Sequence, residues 1–450
     1  MNLLEKNVDE IKKDFKEQNI TIAVFGLGKM GLPLATVFAD KGANVIGVDI
    51  DNDVVDALNQ GMNHVKEEPC LDKLVDKNVK EGRLRATTDG VSAAKKANIC
   101  VILVPTLTDE KGNVKLGPVL DVTETISKGL EPGNVVITEA TMPPGTTEKL
   151  VPILEKSGFK LGEFGLGHAP ERTMTGTAIR DIIGQYPKII GANDERTLRV
   201  LKGMYELVNS KGVVEMEDII SAEAVKVFEG VYRDVNIALA NELAKYCGTK
   251  SIDALKTFRA ANTQDYCDIH EPGAGVAGHC IPVYPWFVIN QTENSGSRLL
   301  RLARDINDSM PYHMVELVLE GLNDVGRPLK GSNIMILGLT FRGGVREFMK
   351  TPAEPVINKL KEWGANVYAY DPMCDNEDAK RFGAEWKEDF TDMDALMVLS
   401  DHKEFEDIKF DEIKLRNKIL VDGRNIFDRS TIEKLGYIYK SVGNGSRKTN

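Results

Sequence analysis

The chain has 450 residues, 42% of them hydrophobic and 28% charged, and its formal net charge is −11. This length favours two or three domains, because a single hydrophobic core stops growing at about 250–300 residues. Acidic residues outnumber basic ones, and the basic residues form no cluster along the sequence. Binding to the negatively charged backbone of a nucleic acid is therefore not expected.

No segment approaches the ~20 consecutive apolar residues of a membrane helix. Residues 1–19 are charged throughout and lack the apolar core of a signal peptide. The six cysteines include no C-x-x-C pair, so neither a disulfide framework nor a metal site is predicted, and reduced thiols are expected. We therefore expect a soluble, cytoplasmic protein without a membrane partner.

The first 215 residues alternate short apolar runs with polar stretches of helical period. An amphipathic helix is predicted over 1–19, and another helix over 30–41 follows the first apolar run. The predicted strands are 21–25, 44–48, 99–104, 135–138, 164–168 and 188–191. Strands that alternate with helices indicate a parallel sheet covered by helices on both faces.

Between residues 216 and 326 the pattern becomes helical. Apolar residues recur at helical spacing over 221–247, and a second helical stretch covers 297–322, where we expect Pro311 to kink or split the helix. A long helix between two α/β regions is typical of a connector that also forms a dimer surface. Periodicity alone fits an ordinary core helix equally well.

From residue 327 onwards the alternation of strands and helices resumes. A helix is predicted over 352–363, and the polar residues 442–450 are expected to fray. The predicted strands are 333–337, 366–370, 395–399 and 419–421. The sequence thus predicts two α/β lobes around a helical middle.

A G-x-G-x-x-G motif, Gly26-Leu-Gly28-Lys29-Met30-Gly31, follows the first predicted strand and opens a helix. Its glycines permit a tight turn, the approach of a pyrophosphate to the backbone and close packing of the helix on the strand. A glycine turn without a ligand is the alternative. Asp49 ends the second strand, where an acidic residue accepts the ribose hydroxyls and repels a 2′-phosphate. We therefore expect NAD rather than NADP.

Cys280 lies in a glycine-rich loop, residues 272–282, which could hold a thiol open to a ligand. A thiolate beside a nicotinamide suggests addition to an aldehyde, loss of hydride to NAD and hydrolysis of the resulting thioester. The alternative is a chance cysteine in a structural loop. The sequence alone does not select the general base or the oxyanion donor that this chemistry needs.

These residues resemble the UDP-glucose/GDP-mannose dehydrogenase family, whose members oxidise a nucleotide sugar at C6 from alcohol to acid. The resemblance extends over nearly the whole chain beyond residue 20, in order, and is carried by 26–31, 104–106, 139–146, 170–172, 222–241 and the Cys280 loop. It implies an α/β fold in which two Rossmann-like doubly wound domains are joined by a central long-helix domain. The implied domains are an NAD-binding domain over 1–215, with 1–19 as an N-terminal extension, a helical dimerisation domain over 216–326 and a UDP-sugar-binding domain over 327–450.

The resemblance also implies catalytic roles. Cys280 corresponds to the nucleophile and Lys226 to the lysine that stabilises oxyanions and orients the sugar. Glu171 with Thr141 corresponds to the pair that handles water during thioester hydrolysis, and Asn241 to an asparagine near the substrate and thiol. From the residues alone, a solvated helix lysine and a loop acid are the alternatives for Lys226 and Glu171.

Further residues are implied in binding. Besides the glycine turn and Asp49, the cofactor residues are Thr106, Thr141 and Arg346. The substrate residues are Glu171, Arg172, Lys226, Arg233, Asn241, Gly278, His279, Phe341 and Arg342. Arginine is suited to bind a diphosphate, because its guanidinium group donates charge-assisted hydrogen bonds to phosphate oxygens.

Three departures from the family pattern stand out. Tyr284 occupies the position of an aspartate four residues after the cysteine, and Gly230 the position of an asparagine four residues after the lysine. The loop between Arg342 and Arg346 is shorter than usual. The expected aspartate partner of the proton path is therefore missing.

Finer resemblance, in 170–172, 232–238 and 278–287, points to the branch of the family that acts on UDP-N-acetylhexosamines. It implies a UDP-sugar substrate, UDP-N-acetyl-D-mannosamine first, and a homodimer or higher homo-oligomer formed through the central helix. Other UDP-sugars (UDP-N-acetylglucosamine, UDP-N-acetylgalactosamine and UDP-glucose) remain open. A two-electron β-hydroxyacid dehydrogenase and a non-catalytic NAD-sensing protein are the other two classes considered.

Overall fold

The computed structural model describes residues 1–109, 112–292 and 296–443. It divides into two compact units, Met1–Glu229 and Gly230–Asn450. Residues 444–450, which the sequence predicts to fray, lie outside the described part of the chain. Within the described residues, no helix combines the length and the apolar character needed to cross a lipid bilayer.

The first unit is built on one large sheet. Its strands are β1 Thr21–Phe25, β2 Asn44–Val48, β3 Leu84–Thr87, β4 Ile99–Ile102, β5 Leu107–Thr108, β6 Val114–Lys115, β7 Val135–Thr138, β8 Gly165–His168, β9 Lys188–Ala192 and β10 Val213–Glu215. Eight of them form the sheet, in the order β10-β9-β8-β7-β4-β1-β2-β3, and β5 pairs with β6 separately. This order places the motif-bearing β1 in the interior of the sheet, with β4 and β2 as its neighbours.

The helices of this unit connect the strands. They are α1 Val8–Lys16, α2 Gly31–Asp40, α3 Asn52–Asn59, α4 Leu71–Lys80, α5 Gly90–Lys96, α6 Gly117–Ser127, α7 Val151–Leu154, α8 Ala178–Gly184, α9 Glu195–Val208 and α10 Ile219–Lys250. The predicted N-terminal helix is thus shorter than expected, and it buries Ile11 and Phe15. α10 continues through the boundary at Glu229 into the second unit.

One pair of strands differs from the expected parallel sheet. β8 and β9 pair antiparallel, with Gly167 opposite Ala192, whereas the other neighbouring strands of this sheet run parallel. A parallel pair needs a crossover that returns the chain to the same end of the sheet, commonly a full helix. The segment between β8 and β9 contains only the seven residues of α8 as regular helix. The run of apolar residues identified a strand here but could not reveal its direction.

The second unit carries a fully parallel six-stranded sheet, in the order β13-β12-β11-β14-β15-β16. Its strands are β11 Asn333–Leu337, β12 Asn366–Tyr370, β13 Glu385–Trp386, β14 Ala395–Val398, β15 Ile419–Asp422 and β16 Ile438–Ser441. Its helices, besides the end of α10, are α11 Ala254–Ala261, α12 Tyr284–Ile289, α13 Arg298–Asp324, α14 Ala353–Glu362, α15 Asn376–Arg381, α16 Lys403–Glu406 and α17 Arg429–Lys434.

Of the two outcomes expected at Pro311, a kink or a split, the split does not occur. α13 extends over 27 residues with Pro311 inside it. Proline removes one backbone hydrogen bond and crowds the preceding turn, but Pro311 is buried together with Met310 and Met314. Packing of this apolar face therefore outweighs the local preference to end the helix.

The two sheets share one local structural feature, a glycine turn held by an aspartate. In each, the first strand is followed by a glycine with positive φ, Gly26 at +96° and Gly338 at +102°. In each, an aspartate after the adjacent strand accepts a backbone N–H from the residue after that glycine: Asp49 at 2.8 Å and Asp371 at 2.8 Å. The same turn chemistry is thus used twice, as expected for two Rossmann-like lobes.

Candidate active site

The glycine turn after β1 is shaped for a ligand. Gly26 has φ +96°, and a Cβ there would lie 2.5 Å from the carbonyl oxygen of Leu103. A Cβ on Gly31 would overlap the carbonyl oxygen of Gly26. At Gly28, by contrast, a Cβ would meet no atom within 4 Å. The first and third glycines are therefore required by packing, while the second leaves the backbone open to a pyrophosphate.

Asp49 is held beside this turn. One carboxylate oxygen accepts the N–H of Leu27 at 2.8 Å, and the other accepts the N–H of Asp51 at 3.1 Å. The negative charge is thereby fixed where the ribose of a dinucleotide would bind. Lys29 forms an ion pair with Glu67 at 3.3 Å. The open turn and the oriented carboxylate fit NAD.

The turn also contacts the loop that carries the implied catalytic acid. The hydroxyl of Thr173 donates to the sulfur of Met30 at 3.0 Å. The backbone N–H of Thr173 donates in turn to the carboxylate of Glu171. Thr106 and Thr141 are joined as well, because the Thr106 hydroxyl donates to the Thr141 carbonyl at 2.7 Å. These residues, distant in sequence, therefore belong to one region of the first unit.

Glu223 anchors the segment that contains Thr141, although the sequence did not single it out. Its carboxylate accepts the backbone N–H of Gly145 at 2.5 Å, and the N–H and hydroxyl of Thr147 at 2.8 and 2.6 Å. Burial raises the pKa of Glu223, and the hydrogen bonds from Thr147 oppose that rise. A glutamate on the buried face of α10 was the available signal, since a buried carboxylate needs donors.

Lys226 lies one turn after Glu223 on α10 and is half-buried. Among the described residues its ammonium group has no hydrogen-bond or ion-pair partner. An unpaired lysine that is partly removed from water is suited to an anionic ligand or a developing oxyanion.

A buried ionic cluster centred on Glu139 is hydrogen-bonded to the backbone of Glu171. The backbone N–H of Glu171 donates to the carbonyl of Glu139 at 3.1 Å. The Glu139 carboxylate is buried and accepts from Lys188 at 2.6 Å and from the hydroxyl of Tyr205. Burial raises the pKa of Glu139, while Lys188 opposes that rise. The cluster holds the backbone that presents Glu171.

Arg172 is already engaged within the first unit. Its guanidinium pairs with Glu229 at 2.5 Å, donates to the carbonyl of Pro187 at 3.1 Å and lies 4.8 Å from the ring centre of Tyr186. Its Nε atom is buried without a hydrogen-bond partner in the described residues. That nitrogen is therefore a buried donor that the described residues leave unused.

In the second unit, Cys280 is exposed and starts the turn that leads into α12. Its carbonyl accepts the backbone N–H groups of Val283 and Tyr284, both at 3.0 Å. Gly278, with φ +92°, lies against Phe341, because a Cβ at position 278 would be 3.4 Å from that ring. The cysteine loop and the loop after β11 therefore lie together.

Asn241 has both ends of its amide occupied. Its nitrogen donates to Asn307 at 3.0 Å, and its oxygen accepts the backbone N–H of Gly273 at 2.9 Å. Asn241 is fully buried. In this structure it anchors the start of the Cys280 loop.

The remaining implied substrate and cofactor residues of this unit differ in how firmly they are held. Arg342 lies 5.6 Å from the ring centre of Phe341. Arg346 is bound by Asp378, at 2.8 and 3.0 Å to its two carboxylate oxygens, so its guanidinium is committed within its own lobe. Arg233 and His279 are exposed at the surface.

The two departures at Gly230 and Tyr284 lie against each other. A Cβ on Gly230 would come closer than 3.0 Å to Cδ2 of Tyr284, and would lie 3.2 Å from its Cβ. The tyrosine ring therefore occupies the space that any side chain at position 230 would need. The glycine and the tyrosine at the two departing positions are therefore direct neighbours in the structure.

Three domain models of a single family match this chain. They are the models of the UDP-glucose/GDP-mannose dehydrogenase family: its NAD binding domain matches residues 20–209, its central domain residues 220–309 and its UDP binding domain residues 335–429. The chain belongs to this family. It is thus an NAD-dependent nucleotide-sugar dehydrogenase with a UDP-sugar substrate, and the fold expected from the resemblance is confirmed.

Individual relatives agree with this assignment. The UDP-N-acetyl-D-mannosamine dehydrogenase of Methanococcus vannielii is 32% identical over 96% of this chain and 99% of its own length. The NDP-N-acetyl-D-galactosaminuronic acid dehydrogenase of Ralstonia nicotianae is 32% identical over 92% and 97%. The structure of the UDP-D-ManNAc dehydrogenase from Pyrococcus horikoshii has a TM-score of 0.86, with 31% identity over 95% of this chain and all of that one. The β-hydroxyacid dehydrogenase and the non-catalytic sensor are therefore not retained.

Asp49 is expected to set the choice of cofactor in this dehydrogenase. We expect Asp49→Ser to lower the preference for NAD over NADP, measured as the ratio of kcat/KM values, by about ten-fold or more, because a carboxylate repels the 2′-phosphate. Asp49→Asn is the matched control for charge, since an amide oxygen can still accept from Leu27. An unchanged ratio in both variants would mean that Asp49 does not read the ribose.

Proposed function

We propose that this dehydrogenase oxidises UDP-N-acetyl-D-mannosamine at C6 to UDP-N-acetyl-D-mannosaminuronate, with two NAD consumed per sugar. The observation that carries the two-step oxidation is the exposed thiol of Cys280 in the glycine-rich loop. The choice of sugar is supported by relatives named for it at 32% and 34% identity.

Cys280 acts as the nucleophile in this proposal. Its thiolate adds to the C6 aldehyde formed by the first oxidation, which creates a C–S bond and an oxyanion. Loss of hydride from this thiohemiacetal gives a thioester, and water then breaks the C–S bond to release the carboxylate and the thiol. NAD, when bound at the turn after β1, accepts the hydride of each oxidation. The six cysteines are free thiols, which suits a cytoplasmic location.

Four other residues support these steps. Lys226, as an unpaired ammonium group, stabilises the alkoxide and the oxyanion. Glu171 and Thr141 orient and activate the water that attacks the thioester. Asn241 acts through the backbone of the Cys280 loop, since both ends of its amide are occupied by protein groups.

A second candidate substrate is UDP-N-acetyl-D-galactosamine. It is favoured by the relatives named NDP-N-acetyl-D-galactosaminuronic acid dehydrogenase, at 32% and 33% identity. The candidate sugars share the acetamido group and differ in stereochemistry. A donor from Arg172 or Arg233 would suit the acetamido carbonyl of both sugars.

Stoichiometry and a panel of sugars test the proposal. We expect two NADH per UDP-N-acetyl-D-mannosamine, with the acid as product, and a lower kcat/KM for the galactosamine, glucosamine and glucose analogues. NADH would be followed by absorbance and the sugar products by mass spectrometry. One NADH per sugar would contradict the thioester route, while a higher kcat/KM for another sugar would reassign the substrate.

We also propose that the enzyme is a homodimer formed through α10. One face of this helix carries Tyr232, Leu239 and Tyr246, spaced seven residues apart and 53%, 50% and 56% exposed. Apolar residues at this spacing form a single stripe, which is typical of a helix that packs on a partner. Leu299 and Leu302 of α13 add further exposed apolar surface.

The dimer is tested by charge substitution in this stripe. We expect Leu239→Glu with Tyr246→Glu to lower the mass measured by light scattering to that of the monomer, because two buried charges per chain would face an apolar surface. Tyr266→Glu is the control, since Tyr266 is 95% exposed and lies outside the stripe. A dimer that survives the double substitution would remove α10 from the interface.

A further inference from the structure

Gly230 lies in the interior of α10, where glycine is among the least favourable residues for the helix. The structure supplies a reason for it. Any side chain at position 230 would meet the ring of Tyr284, whose Cδ2 lies within 3.0 Å of the Cβ position. The contact is not with a flexible chain end, because the Cβ and Cγ of Tyr284 are both 3.2 Å away.

Tyr284 connects this contact to the reactive loop. It is 7% exposed, and its ring also packs on Phe287 at 5.5 Å between centroids. Its backbone N–H donates to the carbonyl of Cys280 at 3.0 Å. A shift of the tyrosine would therefore be transmitted directly to the backbone of the cysteine.

We propose that Gly230 and Tyr284 form a steric lock, in which the notch at Gly230 seats the Tyr284 ring and thereby positions Cys280. Tyr284 is a positioning residue in this scheme, because it acts on Cys280 through the backbone hydrogen bond between them. The inference rests on the proposed role of Cys280 as the nucleophile. Small displacements matter there, since moving a reacting group by about 1 Å can lower a rate about 100-fold.

The lock is tested with five variants of the full-length enzyme: Gly230→Ala, Tyr284→Ala, their double variant, Tyr284→Phe and Gly248→Ala. Gly248 is the matched control, because it lies in the same helix but a Cβ there would meet no atom within 4 Å. Two quantities are measured for each folded variant: kcat and KM for NADH formation, and the pH profile of Cys280 alkylation by iodoacetamide, followed on the Cys280 peptide by mass spectrometry.

We expect Gly230→Ala to lower kcat about ten-fold or more with KM changed less than about three-fold, and to shift the alkylation profile. In the Tyr284→Ala background the same substitution should do no further harm, because the added methyl group enters vacated space. Tyr284→Phe, which keeps the ring, should be impaired much less than Tyr284→Ala, and Gly248→Ala should match the parent enzyme in both measurements.

Three results would overturn the lock. They are a Gly230→Ala variant whose kcat and alkylation profile match those of Gly248→Ala, effects of the two substitutions that simply add, and a Tyr284→Phe variant as impaired as Tyr284→Ala. The alkylation profile requires no turnover, so it reports on the lock even if Cys280 is not the nucleophile. Whether Cys280 is the nucleophile is decided separately by the activity of a Cys280→Ala variant.

Discussion

Replacing Cys280 by alanine should abolish formation of the carboxylate product. Without the thiol, no thioester forms, and we expect the steady-state rate of NADH formation to fall by roughly 10³-fold or more. At most a small burst of NADH from the first oxidation should remain. The measurement is NADH absorbance under single-turnover and steady-state conditions, with the sugar products identified by mass spectrometry.

The matched control is Cys70→Ala, because Cys70 is also an exposed free thiol. It should retain the kcat of the parent enzyme. A Cys280→Ala enzyme that still forms two NADH and the acid would require a mechanism without a covalent intermediate. Equal losses in both variants would indicate a general effect of thiol removal on the protein.

The second large effect is expected at Arg304, which is 1% exposed inside the second unit. Its guanidinium pairs with Asp234 at 2.5 Å and also with Asp308. Asn307 donates to the same Asp234 carboxylate at 2.8 Å. Asp234 is fully buried, so its charge depends on these partners.

We expect Arg304→Ala to lower the free energy of unfolding by about 3–5 kcal/mol, because it leaves the Asp234 carboxylate buried without its counter-charge. Urea titration followed by circular dichroism measures this loss. The control is Lys380→Ala, which breaks an exposed pair with Glu377 at 2.9 Å and should change stability by about 0.5 kcal/mol or less.

Replacing the pair as a whole provides a further check. The double variant Asp234→Leu with Arg304→Met should recover most of the loss, since removing both charges avoids an unpaired ion. A loss below about 1 kcal/mol for Arg304→Ala alone would mean that water reaches Asp234.

The strands of both sheets were predictable where an apolar run is short and clearly bounded. β1, β2, β7, β11 and β12 begin and end at the predicted residues. Four strands of the two sheets, β3, β10, β13 and β16, were missed, and each of them lies at an edge of its sheet. β3 lies at one edge of its sheet and alternates buried and exposed residues over only four positions, which is too short for a clear period.

Neither the direction of a strand nor the continuity of a helix through a proline could be predicted from the local sequence. β9 has the same apolar character whether it runs parallel or antiparallel to β8. Pro311 lowers helix propensity in any sequence, yet its burial in α13 decides the outcome. Both depend on which surfaces the chain covers after it has folded.

By itself, the sequence determined the glycine turn with Asp49, the accessible Cys280 loop and the two-lobed α/β architecture. Each of these is written in consecutive residues or in a fixed spacing along the chain. Only the tertiary structure decided that Gly230 seats Tyr284 and that Glu223 anchors the segment around Thr141. Those contacts join residues far apart in sequence, and steric fit and the desolvation of a carboxylate exist only once the surfaces have met.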